Sequence, residues 1–423
     1  MQKEQIIVSL DIGSSKISCI VATVDKDKLS VIGAYSQESK GIKDGVVNNI
    51  DKAVSSISEV INKAEMMSGH PISKVAVTTS GTHIESMNSH GVVAVSGQDS
   101  EISAEDILRV NEAARAISLP SSREIIHVVP REYIVDKQKG INDPIGMSGV
   151  RLEVEANIIH GSMTALKNLT KCIQQVGVEV DQLIYSGLAS AEAVLTDTEK
   201  ELGTILIDIG GGTMDMCIYF QGSPVYSAVL PIGGQDITND LAIGLRSLLE
   251  DAEKVKLKLS NEADLSNKDI VLDKSGKEAK IPKGEMYVAD LHIGMDTVPR
   301  NMLTDIISRR IDEAFKFVQI YIRKAGFEKR LPAGIVLTGG GALTVGIEKI
   351  ATDVFKLPVR IGKPVGITGL VDQIQGPQSS SGVGTLKFVA ERMKSDSSTF
   401  GRKNGNINKL STKVISFIKS FLP

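Results

Sequence analysis

One device is written twice in this chain. Ile7-Val8-Ser9-Leu10-Asp11-Ile12-Gly13-Ser14-Ser15-Lys16 and Ile205-Leu206-Ile207-Asp208-Ile209-Gly210-Gly211-Gly212-Thr213 are each an apolar run, then an Asp, then glycines and hydroxyl residues. A buried strand that ends in Asp-Ile-Gly before a tight turn carries a carboxylate at its C-terminal end. The Gly and Ser/Thr backbone N–H groups then face the same point. Such amides hold phosphate oxygens, and such a carboxylate holds a hydrated Mg²⁺. Two copies about 200 residues apart predict two similar lobes closing on one nucleotide.

At 423 residues the chain exceeds what one core usually supports, so two or more domains are expected. Trp is absent and aromatic residues make up only 4%, which argues against a nucleic-acid binder that stacks bases. The net charge of −3 is unevenly spread: residues 401–423 hold Arg402, Lys403, Lys409, Lys413 and Lys419 and no acidic residue, so this segment is +5 and the remainder −8. A basic tail on an acidic body reads as a surface-binding appendage. Cys19, Cys172 and Cys217 lie far apart and form no CxxC pair, so buried thiols in a reducing compartment are expected. The first residues read as no secretory signal, and there is no apolar run of ~18 residues to span a bilayer.

Periodicity predicts strands over 6–10, 16–24 and 29–36, a helix over 51–67 and a strand over 74–80, the start of an α/β lobe. From 81 to 161 the texture changes to a small α+β insertion. Its helix opens at Ser103-Ala104-Glu105-Asp106, and strand-like pieces follow at 124–129, 133–136 and 149–159. A helix over 163–176, a strand over 178–184 and a helix over 189–195 lead to the second Asp-Gly strand. Then come a strand over 227–230, a long helix over 236–259, a polar stretch over 260–289, a second long helix over 299–325 and a strand over 335–338. A short helix over 383–393 precedes a linker over 395–408.

Asp11 and Asp208 are the metal-side carboxylates of this reading. Gly13, Ser14, Ser15, Gly210, Gly211, Gly212 and Thr213 supply hydroxyls and close backbone approach. Lys16 either neutralises phosphate charge or is an ordinary strand lysine, and Asp215 either reaches the metal through water or is a turn residue. Gly339-Gly340-Gly341-Ala342, at the end of the last core strand, lets a flat ligand such as adenosine lie on the backbone. Glu253 and Lys256 either grip the ribose and adenine edge or form an exposed i, i+3 ion pair.

These elements in this order resemble the actin-like ATPase superfamily, which includes sugar kinases and DnaK-type chaperones. Asp11-Ile12-Gly13 is similar to its first phosphate motif, the run from Asp208 to Thr213 to its second, Gly339–Ala342 to its adenosine motif, and Ser186-Gly187-Leu188-Ala189-Ser190-Ala191 to its interlobe helix. The resemblance implies ATP and Mg²⁺ as ligands. Chaperones of the superfamily carry Glu-Pro where this chain has Ser186-Gly187, and Glu192 stands a helical turn or more too late. No general base is therefore visible, and weak ATPase activity at most is expected, with ATP acting mainly as a conformational or assembly ligand.

The tail sorts on a helical wheel. Leu410, Val414, Ile415, Phe417, Ile418, Phe421 and Leu422 fill one arc, and Lys409, Lys413 and Lys419 fill the other with Thr412, Ser416 and Ser420. A short basic helix with Phe on its apolar face suits the interface of an anionic membrane.

The insertion, the actin-like motifs and this tail together resemble the FtsA family of bacterial cell-division proteins. The resemblance implies an actin-like two-lobed α/β ATPase fold with an inserted α+β subdomain and a C-terminal amphipathic helix. It divides the chain into first-lobe core (1–83), inserted subdomain (84–161), first-lobe core (162–195), second-lobe core (196–244), outer subdomain 2B (245–300), second-lobe core (301–360), a return to the first lobe (361–394), linker (395–408) and membrane helix (409–423). It implies self-association into actin-like protofilaments, docking of the FtsZ C-terminal peptide on subdomain 2B and recruitment of later division proteins by the insertion. The implied place is the cytoplasmic side of the cell membrane at the division septum. A related pilus-assembly ATPase shares the insertion but is not expected to carry the tail. A chaperone needs a substrate domain after the ATPase, and a kinase needs a catalytic Asp in the cleft.

Overall fold

Residues 5–25, 28–96, 98–261, 270–272, 278–370 and 372–400 are described by the structure, a computed structural model. The chain opens with β1 (Gln5–Ile12), β2 (Lys16–Asp25), β3 (Lys28–Glu38), the small hairpin β4 (Ile42–Lys43) and β5 (Val46–Val47), α1 (Ile50–Ser68) and β6 (Lys74–Thr79). Next come β7 (Glu85–Ala94), α2 (Ala104–Arg115), β8 (Arg123–Val135), β9 (Gln138–Ile141) and β10 (Arg151–Ser162), then α3 (Met163–Gln175), β11 (Glu179–Tyr185) and α4 (Ser186–Val194). The second half starts with α5 (Asp197–Leu202), β12 (Thr204–Ile209), β13 (Met214–Phe220), β14 (Ser223–Leu230), α6 (Gly234–Leu245) and α7 (Leu249–Asn261). Short strands β15 (Ile270–Leu272), β16 (Glu278–Lys280), β17 (Glu285–Tyr287) and β18 (Thr297–Pro299) precede α8 (Arg300–Ala325), β19 (Ile335–Thr338), α9 (Ile347–Phe355), β20 (Val359–Ile361), β21 (Thr368–Gly369) and α10 (Ser380–Phe400).

One main sheet has the order β11-β6-β1-β2-β3-β21 and the other β20-β19-β12-β13-β14-β7-β10-β8-β9. β1 pairs antiparallel with β2 and parallel with β6; β12 pairs antiparallel with β13 and parallel with β19. The same local topology is thus built twice. β12 is buried at every position, because helices cover both faces of its sheet, and so it reads as an unbroken apolar run.

Successive strand residues point to opposite faces, and this decides where the carboxylates go. Val8, Leu10 and Ile12 enter a core with Ile57 and Val60 of α1 and Leu169 and Cys172 of α3. Ile7 enters a different core, with Leu188 of α4 and Val383 and Leu386 of α10. In β12, Ile205, Ile207 and Ile209 pack with Leu241, Val255 and Phe315, whereas Leu206 joins the core of Ile7. Asp11, in step with Ile7, and Asp208, in step with Leu206, therefore both face α4 and α10. Each large side chain buried in these cores contributes roughly 1.5–3 kcal/mol.

The insertion has its own core of Ile107, Val110, Tyr133, Leu152 and Val154. Ser103 caps α2 in a reciprocal capping box with Asp106. The sequence assigns no strand over 85–94; β7 forms there because β10 pairs along its full length and β14 pairs with its first residue, Glu85. The insertion's sheet is thereby continuous with that of the second lobe. The single long helix expected over 236–259 is instead α6 and α7: Arg246, neither Gly nor Pro, takes a left-handed φ of 51° and ends α6 two residues after Gly244. The last helix is longer than expected, and the 395–400 part of the expected linker is helical. Residues 401–408 of that linker and the expected membrane helix over 409–423 lie outside the described residues. Cys19, Cys172 and Cys217 are buried free thiols, as expected. Among the described residues no helix is long and apolar enough to cross a membrane.

Candidate functional site

The two Asp-Gly turns close in the same way. Gly13 N–H donates to the Lys16 carbonyl at 2.9 Å, and Gly210 N–H donates to the Thr213 carbonyl at 2.8 Å. The turns face one another across the lobes. A Cβ on Gly211 would stand 2.6 Å from Ser15 Oγ, and one on Gly212 would stand 3.0 Å from Asp44 Oδ1 and 3.1 Å from Ser14 Oγ. Gly45 N–H donates to Ser14 Oγ at 2.9 Å, and Ser39 N–H to the Ser15 carbonyl at 2.9 Å, which fixes the first turn. Behind the second, Gly234 and Gln235 N–H groups at the start of α6 donate to the Gly210 and Gly211 carbonyls at 2.9 and 2.7 Å.

Three carboxylates gather behind these turns. Asp11 accepts from Thr78 Oγ1 at 2.6 Å and from Ser381 Oγ at 2.7 Å, one on each oxygen. Asp208 accepts from Ser190 Oγ. Asp215 accepts from Ser80 Oγ at 2.8 and 2.7 Å, and Ser80 Oγ lies 3.2 Å from Thr213 Oγ1. Burial, opposed by the Ser190 hydrogen bond and reinforced by Asp11, pushes Asp208 up to about 7. Burial and then the Asp208 charge hold Asp215 well above the usual carboxylate range. Lys16 is lowered by burial against the pull of Asp11 and Asp208, and its Nζ donates to the Gln378 carbonyl at 2.7 Å. Several carboxylates thus face one lysine, a shortage of positive charge that a divalent cation relieves.

The donor set fits one kind of cation. Among the described residues no three His, Cys, Asp or Glu side chains converge as a metal cage. A Mg²⁺ that keeps most of its waters and is shared with phosphate oxygens needs only one or two carboxylates, a requirement that Asp11 and Asp208 would meet.

The third glycine run lies beside the second turn, because β19 pairs with β12 and sets Thr338 opposite Asp208. A Cβ on Gly339 (φ +82°) would stand 2.2 Å from Asp208 Oδ1, and one on Gly341 would stand 2.3 Å from Ile209 Cγ2. These two glycines let the chain pass close to the carboxylate strand, and Ala342 is buried with them. Gly340 is exposed, and a Cβ on it would meet only Gln378 Cβ, at 3.7 Å, so its surroundings are open. On α7, Glu253 and Lys256 form an i, i+3 ion pair at 2.7 Å. Lys256 Nζ also donates to the Gly234 carbonyl at 2.9 Å and to Thr238 Oγ1 at 2.7 Å, so the pair sits against the start of α6. A hollow lined by Lys16, Ser18, Tyr35, Ser36, Gln373 and Gln378 meets the site at Lys16 and Gln378.

No general base stands at the start of α4. Ser186 Oγ donates to the Thr79 carbonyl at 3.2 Å, and Glu192 is ion-paired with Lys200 at 2.7 Å. The sequence does not identify the hydroxyls on the carboxylates as their partners, although Ser190 stands in the interlobe-helix motif. Thr78 and Ser80 come from β6 and the residue after it, Ser190 from α4 and Ser381 from α10, and no spacing links them. The signal available was the alternation that turns Asp11 and Asp208 toward the interlobe helices.

Two family models match the chain: "SHS2 domain inserted in FTSA" over residues 81–160 and "Cell division protein FtsA" over residues 205–384. The chain is 39% identical to the cell division protein FtsA of Pseudomonas aeruginosa, covering 93% of this chain and 91% of the relative. It is 39% identical to that of Borreliella burgdorferi, covering 97% of both, and 34% identical to that of Escherichia coli K12, covering 92% and 91%. Among solved structures, the PilM–PilN type IV pilus biogenesis complex matches with a TM-score of 0.59 at 16% identity, covering 90% of this chain and 98% of that one. The ethanolamine utilization protein EutJ from Carboxydothermus hydrogenoformans matches with a TM-score of 0.51 at 14% identity, covering 90% and 89%. These structural likenesses are of fold, the two-lobed actin-like architecture.

Proposed function

This chain belongs to the FtsA family of cell-division proteins, and from that premise we propose that it binds ATP·Mg²⁺ between its lobes and polymerises on the inner face of the cytoplasmic membrane. In this reading Gly13, Ser14, Ser15, Lys16, Gly210, Gly211, Gly212 and Thr213 surround the phosphates. Asp11 and Asp208 hold the hydrated cation, which screens the phosphate charge when bound. Glu253, Lys256 and Gly339–Ala342 border the adenosine. Hydrolysis is slow, because Ser186 and Glu192 are both engaged elsewhere and no side chain is poised to activate water. The proposed domain division is the one set out above, with subdomain 2B (245–300) receiving the C-terminal peptide of FtsZ and the insertion recruiting later division proteins.

The observation that carries the reading is the presence, on one chain, of two facing Asp-Gly turns and a basic amphipathic tail. A single short helix binds membrane weakly, and many tethered in a polymer bind far more tightly. Polymerisation would then act as the anchoring switch for FtsZ filaments at the septum. Co-sedimentation with anionic liposomes tests this, with and without ATP, comparing the full chain with one ending at Asn408. ATP-enhanced binding that is lost on truncation is expected, and FtsZ should join the pellet only with the full chain. Equal binding by both versions would remove the tail from the mechanism.

A further inference from the structure

We propose that α4 and α10 act as a spacer that fixes the two metal-side carboxylates relative to one another, with Ser190 and Ser381 as positioning residues. The inference rests on the nucleotide reading above. The two helices cross so closely that a Cβ on Gly384 of α10 would stand 1.6 Å from the Ala189 carbonyl oxygen of α4. Ser190 follows Ala189 directly, and Ser381 lies about one helical turn before Gly384. From this crossing Ser190 Oγ donates to Asp208 in the second lobe, and Ser381 Oγ donates to Asp11 in the first at 2.7 Å. The start of α10 is also tied to the second lobe, since Ser380 Oγ lies 2.6 Å from Thr338 Oγ1.

Ser190 is fully buried and Ser381 is 9% exposed, so neither carboxylate can readily exchange its hydroxyl partner for solvent. A donated O–H occupies one lone pair and orients the others. Hydrogen-bond partners behind metal-side ligands set affinity by 10–100-fold in general. A merely structural hydroxyl would change fold stability and nucleotide affinity alike. A positioning hydroxyl changes only the part of the affinity that the cation contributes.

The test is titration of a fluorescent ATP analogue into the full chain, once with Mg²⁺ and once with EDTA. The gain in affinity on adding Mg²⁺ should fall by about 10–100-fold in Ser190→Ala and in Ser381→Ala. Affinity in EDTA should stay as in the unaltered chain, and Ser381→Thr, which keeps the hydroxyl, should retain the gain. A parallel loss in Mg²⁺ and EDTA, or an unchanged gain in a folded Ser381→Ala, would overturn the inference. Thermal melts identify an unfolded Ser190→Ala, in which case Ser381→Ala and Ser381→Thr decide. The unaltered chain alone tests the underlying reading: if it shows no Mg²⁺-enhanced binding, the nucleotide site falls, and this inference with it.

Discussion

The first-lobe and second-lobe turns share a hydrogen-bond plan but not a filling. Gly13 and Gly210 each donate three residues ahead at nearly the same length. After that the first turn carries Ser14 and Ser15, and the second carries Gly211 and Gly212. The difference is complementary: the serines of one turn occupy the space that the glycines of the other leave open. Had both copies kept the same side chains, they would collide at the pseudo-symmetric contact, since folded interiors have no spare room at this scale. The carboxylates diverge as well. Asp11 is gripped from two sides by Thr78 and Ser381, whereas Asp208 is buried beneath Gly339 with Ser190 on it.

The largest effect should come from removing the buried carboxylate. Asp208→Asn should weaken Mg²⁺-dependent ATP binding by about 100-fold or more, a loss of roughly 3 kcal/mol. The same change should stabilise the fold at neutral pH. Because the folded pKa is raised to about 7, the native state holds its proton longer than the unfolded chain does. Stability contributed by this group is therefore full below the ordinary carboxylate range and is lost as pH rises to about 7. Asp208→Asn should raise the melting temperature at pH 8 and leave it nearly unchanged at pH 4. A variant that melts like the unaltered chain at both pH values would refute the buried-charge account.

An intermediate effect tests the complementarity itself. Gly211→Ala puts a methyl against Ser15, and overpacking of this kind costs about 1–3 kcal/mol. ATP affinity should fall about tenfold, and adding Ser15→Gly should recover most of the loss. Strict additivity of the two substitutions in a double-mutant cycle would mean that the turns do not meet as described.

The smallest effect on nucleotide binding lies at the root of α4, where the readout is the pH dependence of stability. His127 Nε2 accepts the Tyr185 N–H at 3.0 Å, its ring packs edge-on against Phe388, and burial holds it down to about 4. The neutral imidazole stabilises the fold above the ordinary histidine range, and that stability is lost as pH falls from about 6.5 to about 4, by at most on the order of 3 kcal/mol. His127→Gln should flatten melting temperature over this interval. A slope as steep as that of the unaltered chain would assign the acid sensitivity elsewhere.

The motif strands were legible because a strand buried on both faces must be apolar until it ends, so a lone Asp in the run stands out. The insertion's capping box was legible for a similarly local reason. β7 was not: half of its residues are polar and most are exposed, and pairing with β10 and β14 makes it a strand. The break at Arg246 was hidden because a non-glycine residue takes the left-handed conformation there. The ring of hydroxyls was hidden for a deeper reason. Thr78, Ser80, Ser190 and Ser381 are ordinary residues until the fold brings three distant segments to the same carboxylates.

The sheet that runs unbroken from the second lobe into the insertion has a consequence for anyone shortening this chain. β7 joins β14 at one pair, Glu85 with Ala228, and beside it Ser86 Oγ and Ser227 exchange hydrogen bonds of 2.9 and 2.7 Å. Excising the insertion would take that neighbour from β14 and leave the Ser227 amide and carbonyl without their Ser86 partner, an open point on a strand edge of the kind along which chains stick to one another. Clumping in such a deletion would report an uncovered seam, not the loss of a binding partner.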